Sequence, residues 1–282
     1  VKSTLYSVPD CQAITKKAIV ERLKKAYDEK GWLNETGAKY PVEVAIHKDN
    51  VLLTIDTSGS GLNKRGYRLA QGEAPIKETL AASLIRLANW KGDSPLIDPF
   101  CGSGTIAIEA CLIAQNIAPG FNRDFVSEEW NIMPPNIYDE LRDEADRMAD
   151  YDKEIEVYAS DIDPEMVEIA KRNAEEVGLG DIIQFNVKDV NTLTIDSEGP
   201  VALVGNPPYG ERIGDREEVE EMYRYIGSLM KQHPYLSTYI LTSNKEFEYL
   251  VNRKATKRRK LFNGYIECTY YQYWGKKPDF KN

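Results

Sequence analysis

Two rhythms of apolar and polar residues follow one another along the chain. In residues 13–30, Ile14, Ala18, Ile19, Leu23, Ala26 and Tyr27 recur at helical spacing, and Gly31 ends the run. Residues 42–46 and 51–55 alternate or run apolar around "HKDN", which predicts a β-hairpin. The glycine-rich, basic "DTSGSGLNKRGYR" of residues 56–68 reads as a loop. An αββ unit of this size buries too little apolar surface to stand alone. It is expected either to pack on the rest of the chain or to find partner strands upstream of Val1.

From Ala74 the rhythm changes. Helix 75–90 precedes strand 96–98, a glycine-rich turn and helix 104–115. After an irregular acidic insertion, strand 155–160 leads to helix 164–177, with Asp163 as N-cap and Pro164 in the first turn. Strands 182–187 and 201–205, helix 216–231 and strand 238–242 follow. Strands alternating with helices predict a parallel, doubly wound α/β sheet. The end differs, because segments 257–262 and 265–274 flank "NG", a strong hairpin signal.

Composition narrows the function. The 282 residues are 42% hydrophobic and 29% charged, ordinary for a soluble chain, and no run of 18 apolar residues or signal pattern occurs. A cytoplasmic protein without membrane attachment is expected. Cys11, Cys101, Cys111 and Cys268 lie far apart, with only His47 and His233 for company. That spacing suits neither a metal site nor a disulfide framework, and so few histidines disfavour a hydrolytic triad. The net charge of −9 argues against indiscriminate coating of nucleic acid, yet "RKATKRRK" (residues 253–260) gathers six bases, while residues 139–154 hold eight acids against three bases.

"LIDPFCGSGTIAIEA" sets Gly102 and Gly104 between a strand and a helix, where backbone can approach a ligand and helix N–H groups are free. Neither a third spaced glycine nor a Gly-Lys-Ser/Thr follows, so the dinucleotide and phosphate-loop readings fail. Asp98 stands at the strand end instead, able to attract a cation or bond an amine. Asp161 in "YASDIDPEM" and Asp189 in "VKDV" end the next two strands. Three carboxylates would repel a pyrophosphate and accept a ligand with an ammonium, a ribose and an adenine amine. S-adenosylmethionine has that chemistry. At the fourth strand end, "LVGNPPYGERIG" places Asn206, Pro207, Pro208 and Tyr209. The Asn206 amide oxygen and the Pro207 carbonyl can accept from an exocyclic NH₂, and Tyr209 can stack on its ring.

"DPFCGSGT", "SDIDP" and "NPPYGERIG" resemble the amino-group methyltransferases. With "IAPG", "SGLNKRGYR", "APIKETLAASLI" and "FNGYIECTYYQY", the chain is similar to the bacterial ribosomal RNA guanine-N2 methyltransferases that carry a THUMP domain. The resemblance implies a Rossmann-like class I methyltransferase, a mostly parallel sheet ending in an antiparallel hairpin, over residues 71–282. It implies the C-terminal part of an α+β THUMP-like RNA-binding domain over residues 1–70. Asp98, Phe100, Gly102, Gly104, Thr105, Asp161, Ile162, Asp189 and Asn206 would bind S-adenosylmethionine, and Asn206 to Tyr209 would face the target amine. Lys64, Arg65, Arg68, Arg253, Lys257, Arg258 and Arg259 would meet RNA phosphates. The implied substrate is guanine N2 of large-subunit ribosomal RNA. Adenine N6 of DNA, a protein glutamine amide, and a non-catalytic RNA-binding role for the same fold stay open. Nothing in the sequence sets an oligomeric state.

Overall fold

The computed structural model describes residues 2–70, 75–209 and 215–277; the "GERIG" of residues 210–214 lies outside them. Two compact units emerge, Val1–Gly61 with Asp124–Leu141, and Leu62–Arg123 with Arg142–Asn282. The boundary between these compact units falls at Leu62, and part of the insertion joins the first unit.

In the first unit, α1 (Val8–Tyr27) starts five residues before the predicted helix, with a proline and Asp10 in its first turn. Strands β1 (Val42–His47) and β2 (Asn50–Ile55) pair antiparallel from Val42↔Ile55 to His47↔Asn50. Lys48 and Asp49 both adopt positive φ, the geometry of a two-residue hairpin turn. No residue of α1 is buried and all of β2 is exposed. The inserted segment packs here. The Trp130 indole donates to the Lys39 carbonyl at 2.7 Å and stacks on Tyr40, centroids 4.7 Å apart. Ser127 Oγ donates to the Thr57 carbonyl at 2.9 Å.

The second unit holds α2 (Glu78–Ala88), β3 (Leu96–Asp98), α3 (Thr105–Ala114), the later part of α4 (Ile137–Met148), whose first residues belong to the first unit, β4 (Val157–Asp161), α5 (Pro164–Glu175), β5 (Ile183–Val187), β6 (Val201–Gly205), α6 (Asp215–Gln232), β7 (Leu236–Thr242), α7 (Phe247–Leu250), β8 (Lys257–Asn263) and β9 (Ile266–Tyr273); α4 and α7 are additions to the predicted order. One seven-stranded sheet runs β5-β4-β3-β6-β7-β9-β8, parallel until β9 inserts antiparallel beside β7. This is the α/β sheet with a hairpin finish that the alternation predicts. The turn of that hairpin is Gly264–Tyr265, since Asn263 still pairs with Ile266; glycine supplies the positive φ.

Side-chain alternation divides the core. On β6, Ala202 and Val204 face α2, α3 and α5, whereas Val201 and Leu203 face α6 and α7. Strand β6 is buried throughout, as expected of a central parallel strand. Helix α3 buries every residue but Ile113, and this includes Glu109. Arg65 meets Glu109 with two bonds, Nε to Oε1 at 3.2 Å and Nη2 to Oε2 at 3.3 Å, and the Tyr67 hydroxyl donates to Oε1 at 3.0 Å. Burial raises the Glu109 carboxyl above its usual range, and Arg65 opposes that rise. Removing one partner of such a pair strands the other charge. Glu109→Ala is expected to cost about 3 kcal/mol of stability, read as a lower urea midpoint by circular dichroism, with Glu109→Gln closer to wild type.

Candidate active site

The chain winds outward from β3 through β4 to β5, then returns to β6 on the other side of β3. At that reversal the connections diverge, and a crevice opens beyond the carboxyl ends of β3 and β6. Asp98 ends β3 and Asn206 follows β6. A cleft of about 590 Å³ lies there. A larger apolar groove of about 1130 Å³ belongs to the first unit, lined by residues such as Leu5, Leu23 and Trp32, and gathers none of the predicted chemistry.

The loop after β3 forms one wall. Cys101 N donates to the Ser160 carbonyl at 2.9 Å, which ties the loop to β4. Gly102 and Gly104 have φ of +49° and +84°. A Cβ on Gly104 would sit 3.0 Å from the Ala170 Cβ, so glycine lets the loop lie close on α5. That positive φ also keeps Gly104 out of the helix, and α3 starts at Thr105. Phe100, Gly102 and Thr105 line the cleft, whereas Asp98 and Gly104 lie behind the lining.

Asp161, Ile162 and Asp189 line the opposite wall. Asp161 Oδ2 accepts from Gly102 N at 2.9 Å and Oδ1 from Asp163 N at 3.1 Å, so one carboxylate braces two loops. Asp189 caps the short turn Val190–Thr192 by accepting from Asn191 N at 2.9 Å. Each oxygen keeps a further lone pair for a ligand. Asp98 is different. It is fully buried; Oδ1 accepts from Phe100 N at 3.3 Å, and Oδ2 has no hydrogen-bond partner. Burial, reinforced by nearby Asp161, lifts its pKa to about 8.

Asn206, Pro207, Pro208 and Tyr209 line the cleft beside these groups. The Pro208 carbonyl accepts from the Tyr223 hydroxyl at 3.2 Å, which braces the turn from behind. The Tyr209 hydroxyl donates to Asn206 Oδ1 at 2.7 Å, so the aromatic expected as a stacking platform also touches the proposed acceptor. Asn263, Ile266, Met222 and Lys188 line the cleft as well and escaped sequence reasoning. In the sequence Asn263 shows only as half of a turn signal, and no signal marks Met222.

The basic residues divide. Arg253, Lys257, Arg258 and Arg259 are exposed on and before edge strand β8, with Arg258 Nε bonded to Glu248 at 2.9 Å, and Lys64 is exposed too. Arg65 and Arg68, expected at phosphates, are largely covered and each is paired with a carboxylate. Arg65 is spent on buried Glu109. Arg68 pairs with Glu78 at 2.9 Å and donates to Thr105 Oγ1 at 3.0 Å. A guanidinium costs least in such an interior when a carboxylate meets it, and both positions provide one.

The state of Asp98 has a pH signature. Its folded pKa near 8 lies above the ordinary 3.8, so the fold favours the protonated form. That contribution is complete below the lower value and is lost as pH rises through the higher one. Ligand-free Asp98→Asn should therefore melt above wild type at about pH 9, and the gap should narrow at about pH 5, by thermal scans at both.

Comparison with known proteins follows the same lines. Residues 65–272 match UPF0020, the RMKL-like methyltransferase domain, and residues 1–56 match the THUMP domain. YpsC of Bacillus subtilis, assigned as an RNA methyltransferase, is 58% identical over 98% of this chain and 72% of its own length. The ribosomal RNA large subunit methyltransferase K/L of Shewanella baltica is 38% identical over 90% of this chain, which spans only 37% of that enzyme. A methyltransferase crystallised with SAH superposes with a TM-score of 0.92 at 43% identity, covering 99% of this chain and 74% of that one. The family model spans more than half of the chain, and the chain belongs to the RMKL-like methyltransferase family, with a THUMP domain at its N-terminal end.

Proposed function

We propose that this protein transfers a methyl group from S-adenosylmethionine to an exocyclic amine of a base in RNA, namely guanine N2 of large-subunit ribosomal RNA. The observation that carries the reading is the pairing of two neighbouring strand ends. An acid with an unpartnered, buried oxygen closes β3, and a braced amide acceptor follows β6. The relatives named for RNA and ribosomal RNA, and the one bound to SAH, the demethylated form of that cofactor, support it.

The residues fit the cofactor. Asp98 lies just behind the cleft lining, where its lone oxygen would suit an N–H donor and a cation held there would restore its carboxylate charge. Asp161 and Asp189 offer lone pairs to hydroxyl and amine groups, and the Gly102 region lets them approach. When bound, the cofactor supplies an electrophilic methyl group. The protein's own task is placement. Asn206 Oδ1 and the Pro207 carbonyl, which has no partner among the described residues, accept the two N–H bonds of a target NH₂. As positive charge grows on that nitrogen, fixed acceptors stabilise it without reorganising. The prolines hold φ, and Tyr223 pins the turn, so the acceptors stay aligned. The bases of β8 would meet the RNA backbone, while Arg65 and Arg68 serve the fold.

Asn206→Ala should lower methyl transfer by at least about a hundredfold while cofactor binding by calorimetry stays within a few-fold. Tritiated methyl transfer to ribosomal RNA, DNA and protein, followed by nucleoside and amino-acid analysis, names the product. N2-methylguanosine is expected. Label appearing solely as N6-methyladenosine or methylglutamine would replace the reading.

A further inference from the structure

The Tyr209 hydroxyl sits at the centre of a small network whose hydrogen-bond directions can be assigned. It approaches Asn206 Oδ1 at 2.7 Å, Asn263 Nδ2 at 3.2 Å and Cys268 Sγ at 3.5 Å. A phenol oxygen offers one proton and two lone pairs. The Asn263 amide nitrogen can only donate. Cys268, fully buried on β9, has one thiol proton and two acceptors in reach, this hydroxyl at 3.5 Å and the Ile266 carbonyl at 3.7 Å, so it shares the acceptor side only when its proton turns this way. Asn263 takes one lone pair and the thiol lies against the other, so the one hydroxyl proton is directed at Asn206, 2.7 Å away.

That assignment has a consequence for the Asn206 amide. Turned over, it would present its NH₂ to the hydroxyl proton that Asn263 directs toward it, a donor facing a donor. The oxygen is therefore the end held toward Tyr209, and a carbonyl oxygen has a second lone pair to offer the cleft. An asparagine free to flip would spend part of its time presenting a donor to a target amine, which it would repel.

We propose that Asn263, assisted by Cys268, is a positioning residue that acts through the Tyr209 hydroxyl to fix the Asn206 amide with its oxygen available to the substrate. The proposal rests on the reading of Asn206 as the acceptor of the target amine. It also gives the terminal hairpin a task. Strand β8 ends at Asn263, and the turn at Gly264–Tyr265 returns the chain so that Asn263 and Cys268 reach the same hydroxyl from two strands.

The test is a double-mutant cycle on the full chain. Asn263→Asp keeps the size and replaces the donor with an acceptor; Tyr209→Phe keeps the ring and removes the hydroxyl. Each should lower kcat roughly tenfold or more, with cofactor affinity by calorimetry and thermal midpoint close to wild type. The double variant should be no worse than the poorer single one, because both cut the same chain of bonds. Multiplying losses in the double variant, or an Asn263→Asp enzyme with wild-type kcat, would overturn the proposal. Labelling asparagine side chains with ¹⁵N gives a readout independent of turnover. The Asn206 NH₂ pair should be a single sharp set in wild type and broadened in Asn263→Asp; equal sharpness in both would also overturn it. Should wild type methylate another amine, the substrate reading falls, and the same cycle on that acceptor still decides the role of Asn263.

Discussion

A parallel sheet that changes winding direction between two neighbouring strands cannot cover both strand ends with helices. Everything at the active site follows from that constraint between β3 and β6. The uncovered ends are where backbone groups and short acidic side chains can meet a ligand without a bulky connection in the way. The glycine loop occupies one side of the opening and the proline corner the other, so a donor and an acceptor bound there would be held by adjacent strands. Adjacent strands in a sheet are about 4.8 Å apart, which makes the distance between the two partners a property of the fold.

Around that opening, charge is managed by burial more than by exposure. Glu109 and Asp98 are both interior carboxyls, yet the fold treats them in opposite ways. Glu109 is met by a two-pronged guanidinium and a phenol, whereas Asp98 keeps an oxygen without a partner. A satisfied buried acid is a structural element; an unsatisfied one at a strand end retains an unmet demand that a ligand can fill. Arg68 links the two regions, since it bonds Thr105 at the start of α3 as well as Glu78.

The architecture was legible because each element announced itself in periodicity or punctuation. Asp163 followed by Pro164 marked the start of α5, and its side chain does accept from Glu165 N. "NG" marked the last hairpin, although the turn proper takes Gly264 and Tyr265. The acids and the Asn-Pro-Pro-Tyr corner could be placed on a common edge because strand ends of a parallel sheet share one. What stayed hidden depended on side-chain direction across the sheet. Nothing in "RGYR" says that Arg65 and Arg68 turn inward, because their partners Glu109 and Glu78 lie on helices 44 and 10 residues away. Likewise Asn263 meets Tyr209 across 54 residues, a proximity that only the antiparallel insertion of β9 creates. Local patterns report local structure, and these contacts are not local.

The first unit is discontinuous, since Trp130 and Ser127 reach back to Lys39, Tyr40 and Thr57. During synthesis its closing segment leaves the ribosome only after β3 and α3 of the second unit have been made. Its assembly must therefore wait for, and overlap with, the early stages of its neighbour. For the same reason, no single excision can isolate that unit intact. A chain cut just after Gly61 would lose the tryptophan that stacks on Tyr40.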